Sequence, residues 1–119
     1  MSVEHITENG ITYTVEINNH GTKEWYLNGL LHRVDGPAVE WTDGHKEWWL
    51  NGKYHRVDGT AIEHANGHKA WYLSGEKLTE KEFNEFRKGY DHLKQNPIDA
   101  PLYLHHKHLG SIAKEILEA

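Results

Sequence analysis

A five-residue segment with two adjacent aromatic residues recurs three times at a constant interval. WYLNG occupies residues 25–29, WWLNG residues 48–52 and WYLSG residues 71–75, so that each copy begins 23 residues after the one before it. Periods of this length are typical of proteins that stack one small supersecondary unit on its own copies. The chain of 119 residues is therefore predicted to be a repeat architecture.

The repeat extends well beyond the aromatic segment. LHRVDGPAVEWTDGHKEWWLNG at 31–52 aligns with YHRVDGTAIEHANGHKAWYLSG at 54–75, whereas ITYTVEINNHGTKEWYLNG at 11–29 has the aromatic end but no HRVDG. Terminal repeats are often atypical, because one of their faces has no neighbour. We expect about three copies within residues 1–78, of which the first is degenerate.

The dipeptides between the apolar runs indicate β-hairpins. Asp43-Gly44 and Asn66-Gly67 separate short runs, and Asn28-Gly29 and Asn51-Gly52 follow the aromatic ones. Asn-Gly and Asp-Gly tolerate the positive φ angles of tight hairpin turns, and the runs are too short for packed helices. The pattern predicts an antiparallel meander in which each copy is one hairpin with a connecting stretch.

Alternation along the strands predicts two columns of aromatic side chains on opposite faces. One column is Trp25, Trp48 and Trp71, and the other is Tyr26, Trp49 and Tyr72. Like positions two strands apart are separated by about 10 Å, which is too far for ring stacking. We expect residues of the intervening strands to fill these gaps, namely Val39, Trp41, Ile62 and His64. One column should form the core, and the other should be covered or exposed for binding.

Residues 79–119 have a helical pattern. Thr79 and Glu82 form a capping box, and Phe83, Phe86, Tyr90 and Leu93 follow at helical spacing until Pro97 ends the helix. A second helix is predicted from about residue 99, with Gly110 as a candidate break in its middle and with one apolar side that consists of Leu102, Leu109, Ile112, Ile116 and Leu117. The predicted fold is thus mainly β with an α tail, a repeat sheet at 1–78 followed by a helical C-terminal cap at 79–119.

The full pattern Trp-Tyr/Trp-Leu-Asn-Gly-x-x-His-Arg-x-Asp-Gly-x-Ala resembles the MORN repeat, in a variant found in tailed-phage and bacterial proteins. The resemblance covers roughly residues 11–83, including the helix start at Leu78–Phe83. It implies hairpin units, no enzymatic activity, and a role in scaffolding other proteins or contacting lipids. Because this chain adds HRVDG and carries acidic charge, the lipid role transfers poorly. By analogy with phage proteins, a host protein in defence or transcription is the expected partner.

The HRVDG segments at 32–36 and 55–59 place an imidazole, a guanidinium and a carboxylate close together. One hypothesis is a repeated site for an anion, with arginine as a bidentate fork and histidine as a titratable partner. The other is structural, with the aspartate in a turn and the arginine of one copy paired with the aspartate of the next. We favour the structural hypothesis, since the stability of repeat proteins depends on the interfaces between copies.

Histidines offer few metal or catalytic arrangements. His45 and His68 follow hairpin turns and are expected to be exposed at hairpin ends. In the cluster His105, His106 and His108, the first and third would share one face of a helix, while His106 would point away. No motif supplies the third and fourth ligands that a metal ion would need, so we predict no metal and no cofactor. Without cysteine or any nucleophile motif, the chain is interpreted as non-enzymatic; a metal-dependent enzyme is the weakest hypothesis.

Charge and composition limit the partners. The net charge is −5, and neither the repeat part nor the tail has more Lys and Arg than Asp and Glu, so nucleic-acid binding is not expected. No apolar run reaches the length of a membrane span, and the N-terminus lacks a secretory signal. These features, with the absence of cysteine, predict a cytoplasmic protein that does not bind membranes.

Two functions follow from these predictions. The first is a module that binds another protein, with exposed sheet edges that also allow a homodimer. The alternative is a small-molecule sponge, in which Trp49 or Tyr26 acts with Arg33 and Arg56 on an anionic aromatic ligand such as a nucleotide. The binding residues predicted for either function are Tyr26, Trp49, Tyr72, Trp41, His32, Arg33, His55 and Arg56.

Overall fold

In the computed structural model, antiparallel strands occupy the first two thirds of the chain and helices the rest. All 119 residues are described, and they form two compact units, Met1–Leu78 and Thr79–Ala119. The strands are β1 (Ser2–Glu8), β2 (Ile11–Ile17), β3 (Lys23–Leu27), β4 (Leu30–Leu31), β5 (Val39–Glu40), β6 (Lys46–Glu47), β7 (Trp49–Leu50), β8 (Lys53–Tyr54), β9 (Ile62–Glu63), β10 (Lys69–Leu73) and β11 (Glu76–Leu78). The predicted fold class, an antiparallel β-meander followed by C-terminal helices, is confirmed.

Nine of the strands form one sheet in the order β1-β2-β3-β5-β6-β9-β10-β11, with β4 also paired to β3. Strands β7 and β8 form a separate two-stranded ladder. β1 and β2 make a regular N-terminal hairpin that pairs over seven residues, from Ser2 opposite Ile17 to Glu8 opposite Ile11. β1 is therefore an edge of the large sheet.

The 23-residue period of the sequence is also a period of backbone hydrogen bonds. The N–H of Trp25 donates to the Ala38 carbonyl at 2.7 Å, and the N–H of Trp48 donates to the Ala61 carbonyl at 2.8 Å. In both copies the histidine that follows donates its N–H to the tryptophan carbonyl, at 3.0 Å. Because Trp48 makes the same bonds as Trp25, the interrupted segment β6–Trp48–β7 corresponds to the continuous strand β3.

The turns after the aromatic strands explain why Asn-Gly recurs. Asn28 and Asn51 both have φ of 51°, and Ser74 has φ of 49° in the third copy. A glycine with positive φ follows each of them. Two successive positive φ angles are characteristic of the type I′ turn, whose twist matches that of the two strands it joins.

A cluster of buried side chains lies at the N-terminal end of the sheet. Tyr13 and Val15 of β2 and Trp25 of β3 form a buried cluster with Ala38. Four partly buried side chains pack against this cluster, namely Ile6, Ile11, Leu27 and Trp49. Tyr13, Val15 and Trp25 all lie within residues 11–29, so the degenerate first copy supplies most of this cluster.

The helical unit begins as predicted and then departs from the prediction. Helix α1 (Glu80–Gln95) has Thr79 as N-cap and the complete capping box with Glu82. A 3-10 helix (Pro97–Tyr103) follows, and α2 (Gly110–Glu118) begins only after a turn. The predicted start of the second helix near residue 99 is therefore wrong, whereas the candidate break at Gly110 coincides with the start of α2. At Gly110 an added Cβ would lie 2.6 Å from the Leu104 carbonyl oxygen, because the chain folds back closely there. Leu102, which was predicted on the apolar side of the second helix, lies in the 3-10 helix and is exposed.

No helix of the structure combines the length and the apolar character required to cross a membrane.

Candidate functional site

The two HRVDG segments form loops that bind the next copy of the repeat. They connect β4 to β5 and β8 to β9. In the first loop the Arg33 N–H donates to the Trp49 carbonyl at 3.1 Å, and in the second the Arg56 N–H donates to the Tyr72 carbonyl at 3.2 Å. Each loop is thus hydrogen-bonded to the aromatic strand that follows it by one repeat.

The two histidines support the same interface. Nδ1 of His32 accepts the N–H of Asn51 at 2.9 Å, and Nδ1 of His55 accepts the N–H of Ser74 at 2.9 Å. Burial lowers the pKa of both imidazoles. A lowered pKa favours the neutral ring, which is the form that leaves Nδ1 free to accept. These bonds are contacts of the kind that the structural hypothesis for HRVDG requires.

Each arginine lies over the indole ring of the tryptophan of its own copy. The guanidinium carbon of Arg33 is 3.6 Å from the centre of the Trp25 ring, and that of Arg56 is 3.8 Å from the centre of the Trp48 ring. Nη1 of Arg33 donates to the Pro37 carbonyl at 3.2 Å, and Nη1 of Arg56 donates to the Thr60 carbonyl at 3.1 Å.

The acidic partners of the arginines are glutamates. Arg33 Nη1 is 3.1 Å from Glu40, and Arg56 Nη1 is 3.4 Å from Glu63. The expected pairing of an arginine with the aspartate of the next copy is wrong for Arg33. Asp35 instead accepts a hydrogen bond from the Asn9 side chain, which the turn of the N-terminal hairpin brings to the loop.

The outer edges of the two guanidinium groups differ. Nε and Nη2 of Arg33 hold the Glu8 carboxylate in a bidentate pair, at 3.0 Å and 2.9 Å. The hydrogen bonds from Arg33 hold the pKa of Glu8 below its usual value. Arg56 makes its hydrogen bonds through Nη1 alone, so its Nε and Nη2 have no acceptor.

Tyr13 fills the space beside the first loop. Its ring meets Trp25 edge-on at 5.4 Å and stacks against His32 at 6.3 Å between ring centroids. Its hydroxyl accepts the N–H of Val34 at 3.1 Å. We call this space, bounded by the N-terminal hairpin and the first loop and occupied by Tyr13 and Glu8, the filled groove.

One repeat further along, the corresponding space is empty of side chains. A groove of about 700 Å³ lies between residues 33–36 of the first loop and residues 55–58 of the second, with Trp48 and Leu50 also lining it. The 23-residue period places Gly36 where Tyr13 stands and Leu31 where Glu8 stands. We call this space the open groove.

The structure distributes the eight predicted binding residues over three places. Arg33, His55 and Arg56 line the open groove, and buried His32 contacts Tyr13 in the filled groove. Trp49 and Tyr72 belong to a row of rings linked by Tyr54, at centroid distances of 4.0 Å and 5.0 Å. The remaining two predicted residues are Tyr26 and Trp41.

Tyr26 and Trp49 make local hydrogen bonds to glutamates two residues before them in the chain. The Tyr26 hydroxyl donates to Glu24 at 3.1 Å, and burial, together with that carboxylate, raises the tyrosine pKa to about 12. Trp49 Nε1 donates to Glu47 at 2.8 Å. Neither side chain lines the open groove.

The residues expected to fill the gaps in the aromatic columns lie elsewhere. Tyr54, and not Val39 or Ile62, separates Trp49 from Tyr72, because it is the direct cross-strand partner of Trp49. Trp41 and His64 instead form a second row around His45, at 4.4 Å and 4.8 Å.

His45 is buried, so its predicted exposure is wrong. Its ring lies between those of Trp41 and His64, and its Nε2 is 2.7 Å from a Glu47 carboxylate oxygen. His68, at the equivalent position of the next copy, is exposed as expected.

The histidine cluster of the helical unit is not arranged as a metal site. His105 is exposed, and Nδ1 of His106 is positioned to accept the backbone N–H groups of His108 and Leu109 at 3.3 Å. The structure contains no group of three or more potential ligands positioned to hold a metal ion.

Trp48 and Leu50 also line the open groove, although neither is among the binding residues predicted from the sequence. Trp48 belongs to the column of Trp25, Trp48 and Trp71, and the sequence pattern did not decide which of the two columns forms the core. The available signal was the glycine at position 36, a residue of the groove wall that contributes no side chain.

Comparison with protein-family models, with curated proteins and with solved structures gives no match to this chain. The resemblance to MORN repeats therefore stays a prediction.

Proposed function

We propose that this protein is a non-enzymatic module that binds another protein through the open groove. The observation that carries the proposal is that the filled groove, one repeat earlier, is occupied by side chains of a β-hairpin. Polypeptide therefore fits this type of space. The open groove offers an indole, an aliphatic side chain and a cation with unused donors, a combination common at protein interfaces.

The test is affinity capture with the wild-type protein and two variants. We expect a stoichiometric partner with wild type and with Lys114→Ala, which removes an exposed charge on α2. Arg56→Ala should reduce the captured amount at least tenfold, since it removes the cation of the groove. A partner captured equally by Arg56→Ala, or no partner at all, would count against the proposal.

The resemblance to tailed-phage and bacterial proteins suggests where to look for that partner. We extend the proposal to a cytoplasmic protein of a bacterial host, with defence proteins as the first class to screen. This step depends on analogy alone. A purified panel of defence proteins, tested with the same two variants, separates it from binding to other host proteins.

The alternative function is a sponge for an anionic aromatic small molecule, and one observation favours it. Arg56 lies over Trp48 with two free donors on its outer edge, which suits a planar ring beside an anion. Trp48 takes the role that Trp49 or Tyr26 had in the sequence-based hypothesis. Nucleotides should then raise the melting temperature of wild type and Lys114→Ala but not of Arg56→Ala, and no shift with any nucleotide discards the sponge.

A further inference from the structure

The filled groove serves as an internal template for the ligand of the open groove. We propose that the open groove binds a polypeptide segment that presents a glutamate carboxylate beside a tyrosine ring. The carboxylate binds Nε and Nη2 of Arg56, and the ring packs on Trp48 and His55. This inference rests on the proposed function and adds the chemistry of the partner.

We infer the carboxylate of the proposed ligand from a comparison of the two arginines. Arg33 and Arg56 each lie over the tryptophan of their own copy. In both, Nη1 donates to a backbone carbonyl and to a glutamate. Only Arg33 has a second carboxylate, that of Glu8, on Nε and Nη2. The guanidinium of Arg56 keeps the fork geometry that matches a carboxylate in two parallel bonds, and its charge faces one glutamate instead of two.

We infer the tyrosine ring of the proposed ligand from the residues that line the groove. Tyr13 is held by the edge of Trp25 and the face of His32. The equivalent pair in the next copy, Trp48 and His55, lines the open groove, where Gly36 supplies no side chain. His55 has its Nδ1 engaged by Ser74, as His32 has by Asn51, so its ring is held in a matching manner.

A polypeptide is favoured over a free small acid by how the template is delivered. Glu8 and Tyr13 come from the two strands of the N-terminal hairpin, on either side of the Asn9-Gly10 turn. The hairpin also hydrogen-bonds Asp35 through Asn9. A partner with a hairpin or extended edge can present a ring and a carboxylate with the same separation and already ordered, which lowers the entropy cost of binding.

A cyclic hairpin peptide is the appropriate probe. It comprises residues 5–14 of this chain with the directly paired ends changed, His5→Cys and Thr14→Cys, and joined by a disulfide. The probe is titrated into the full-length protein while NMR follows the indole N–H signals of Trp48 and Trp25 and the Nε–H of Arg56. We expect saturable shifts at Trp48 and Arg56 and an unchanged Trp25 signal.

Matched changes in probe and protein identify the contacts. Glu8→Gln or Tyr13→Ala in the probe should each weaken binding about tenfold or more. Arg56→Gln in the protein should have an effect similar to that of Glu8→Gln in the probe, and the two together should cost little more than either alone. Arg56→Lys keeps the charge without the fork and should give an intermediate affinity, which guards against a variant that fails to fold.

Three outcomes overturn the inference. The first is no shift at roughly 2 mM probe, a concentration that would detect a millimolar dissociation constant. The second is binding that is unaffected by Arg56→Gln or that shifts Trp25 in place of Trp48. The third is binding of 3-(4-hydroxyphenyl)propionate as tight as that of the cyclic probe, which would assign the groove to free aryl carboxylates.

The two proposals fail separately. If a captured protein depends on Arg56 but the probe does not bind, the binding module stands and the tyrosine–glutamate ligand is wrong. If capture is independent of Arg56, the groove is not the docking site of the captured protein, whatever the probe does.

Discussion

The arginines of the two HRVDG loops lie over equivalent tryptophan rings but have different hydrogen-bond acceptors around them. Arg33 makes four side-chain hydrogen bonds, and its side chain is 15% exposed. Arg56 makes two and is 28% exposed. At the residue scale, one position of the motif can therefore hold the fold together in one copy and keep donors available in the next.

The first prediction compares the two arginines as alanine variants. Arg33→Ala should lower the free energy of unfolding by about 2–3 kcal/mol, because it leaves Glu8 without its partner and uncovers Trp25. Arg56→Ala should cost about 1 kcal/mol or less, since its ion pair is long and more exposed. Urea denaturation measures both. Equal losses would contradict the different roles that their surroundings indicate.

The second prediction concerns pH. His32 and His55 have a pKa below the ordinary 6.5 in the folded state, so between the two values the unfolded chain binds more protons than the folded one. Stability contributed by these groups is complete above about pH 6.5 and falls as the pH decreases below it. The free energy of unfolding should therefore decrease between pH 7.5 and pH 5.5.

The matched control replaces both rings with side chains that do not titrate. The double variant His32→Gln and His55→Gln should have a flatter dependence in this range, at lower overall stability. An unchanged slope would assign the pH dependence to other groups. Glu8 acts in a separate range, since its lowered pKa removes stability only as the pH falls below about 4.5.

At the scale of elements, the sequence predicted those features that depend on residues close together in the chain. The Asn-Gly turns, the hairpins and the capped start of α1 follow from neighbouring residues and appear where expected. The second helix did not begin where expected: it starts at Gly110, where the chain approaches the Leu104 backbone closely, and the sequence indicated that glycine without showing the contact. His45 is buried and not exposed because its ring lies between those of Trp41 and His64, which directly follow β5 and β9.

The third prediction uses the one turn of the series that lacks asparagine. Ser74 has the positive φ that asparagine adopts more readily than serine. Ser74→Asn should stabilise the protein by about 0.5 kcal/mol, while its N–H can still bond His55. Asn51→Ser is the reciprocal control and should destabilise by a similar amount. Thermal unfolding of both variants measures this, and a loss of stability in Ser74→Asn would contradict it.

The fourth prediction concerns the start of α1. The Thr79 hydroxyl accepts the Glu82 N–H at 3.1 Å, and the Glu82 side chain accepts the Thr79 N–H at 2.9 Å. Thr79→Ala should cost about 1 kcal/mol, because one N-terminal donor of the helix loses its acceptor. Glu85→Ala, at an exposed position of the same helix, should change stability far less. Chemical denaturation followed by circular dichroism distinguishes the two.

At the scale of the whole molecule, the period predicted the architecture but not how the array is closed at its N-terminal end. The repeated residues fix the strands, the loops and the bonds between copies. Glu8 and Tyr13 lie in the N-terminal hairpin, and their partners Arg33 and Val34 are more than 20 residues away in the chain. No motif marks them, so the distinction between the filled and the open groove required coordinates.

The fifth prediction removes the N-terminal hairpin. A chain that lacks residues 1–19 loses Tyr13 and Val15 from the buried cluster and Glu8 from Arg33. We expect a loss of at least about 3 kcal/mol and increased quenching of Trp25 by acrylamide. If the shortened chain keeps the wild-type stability and quenching, the hairpin is not the element that covers Trp25 and stabilises this end of the sheet.

The open groove exists because two complete loops stand one repeat apart, and this makes the number of docking positions a property of sequence length. Adding one more complete 23-residue unit would add another such position, about 10 Å along the sheet at two strands per unit. A partner with a recurring recognition segment would then be held at several points, and its avidity would rise without any change in the individual contacts. Tandem duplication of the repeat is thus a direct route by which the avidity of such a protein for its partner could change.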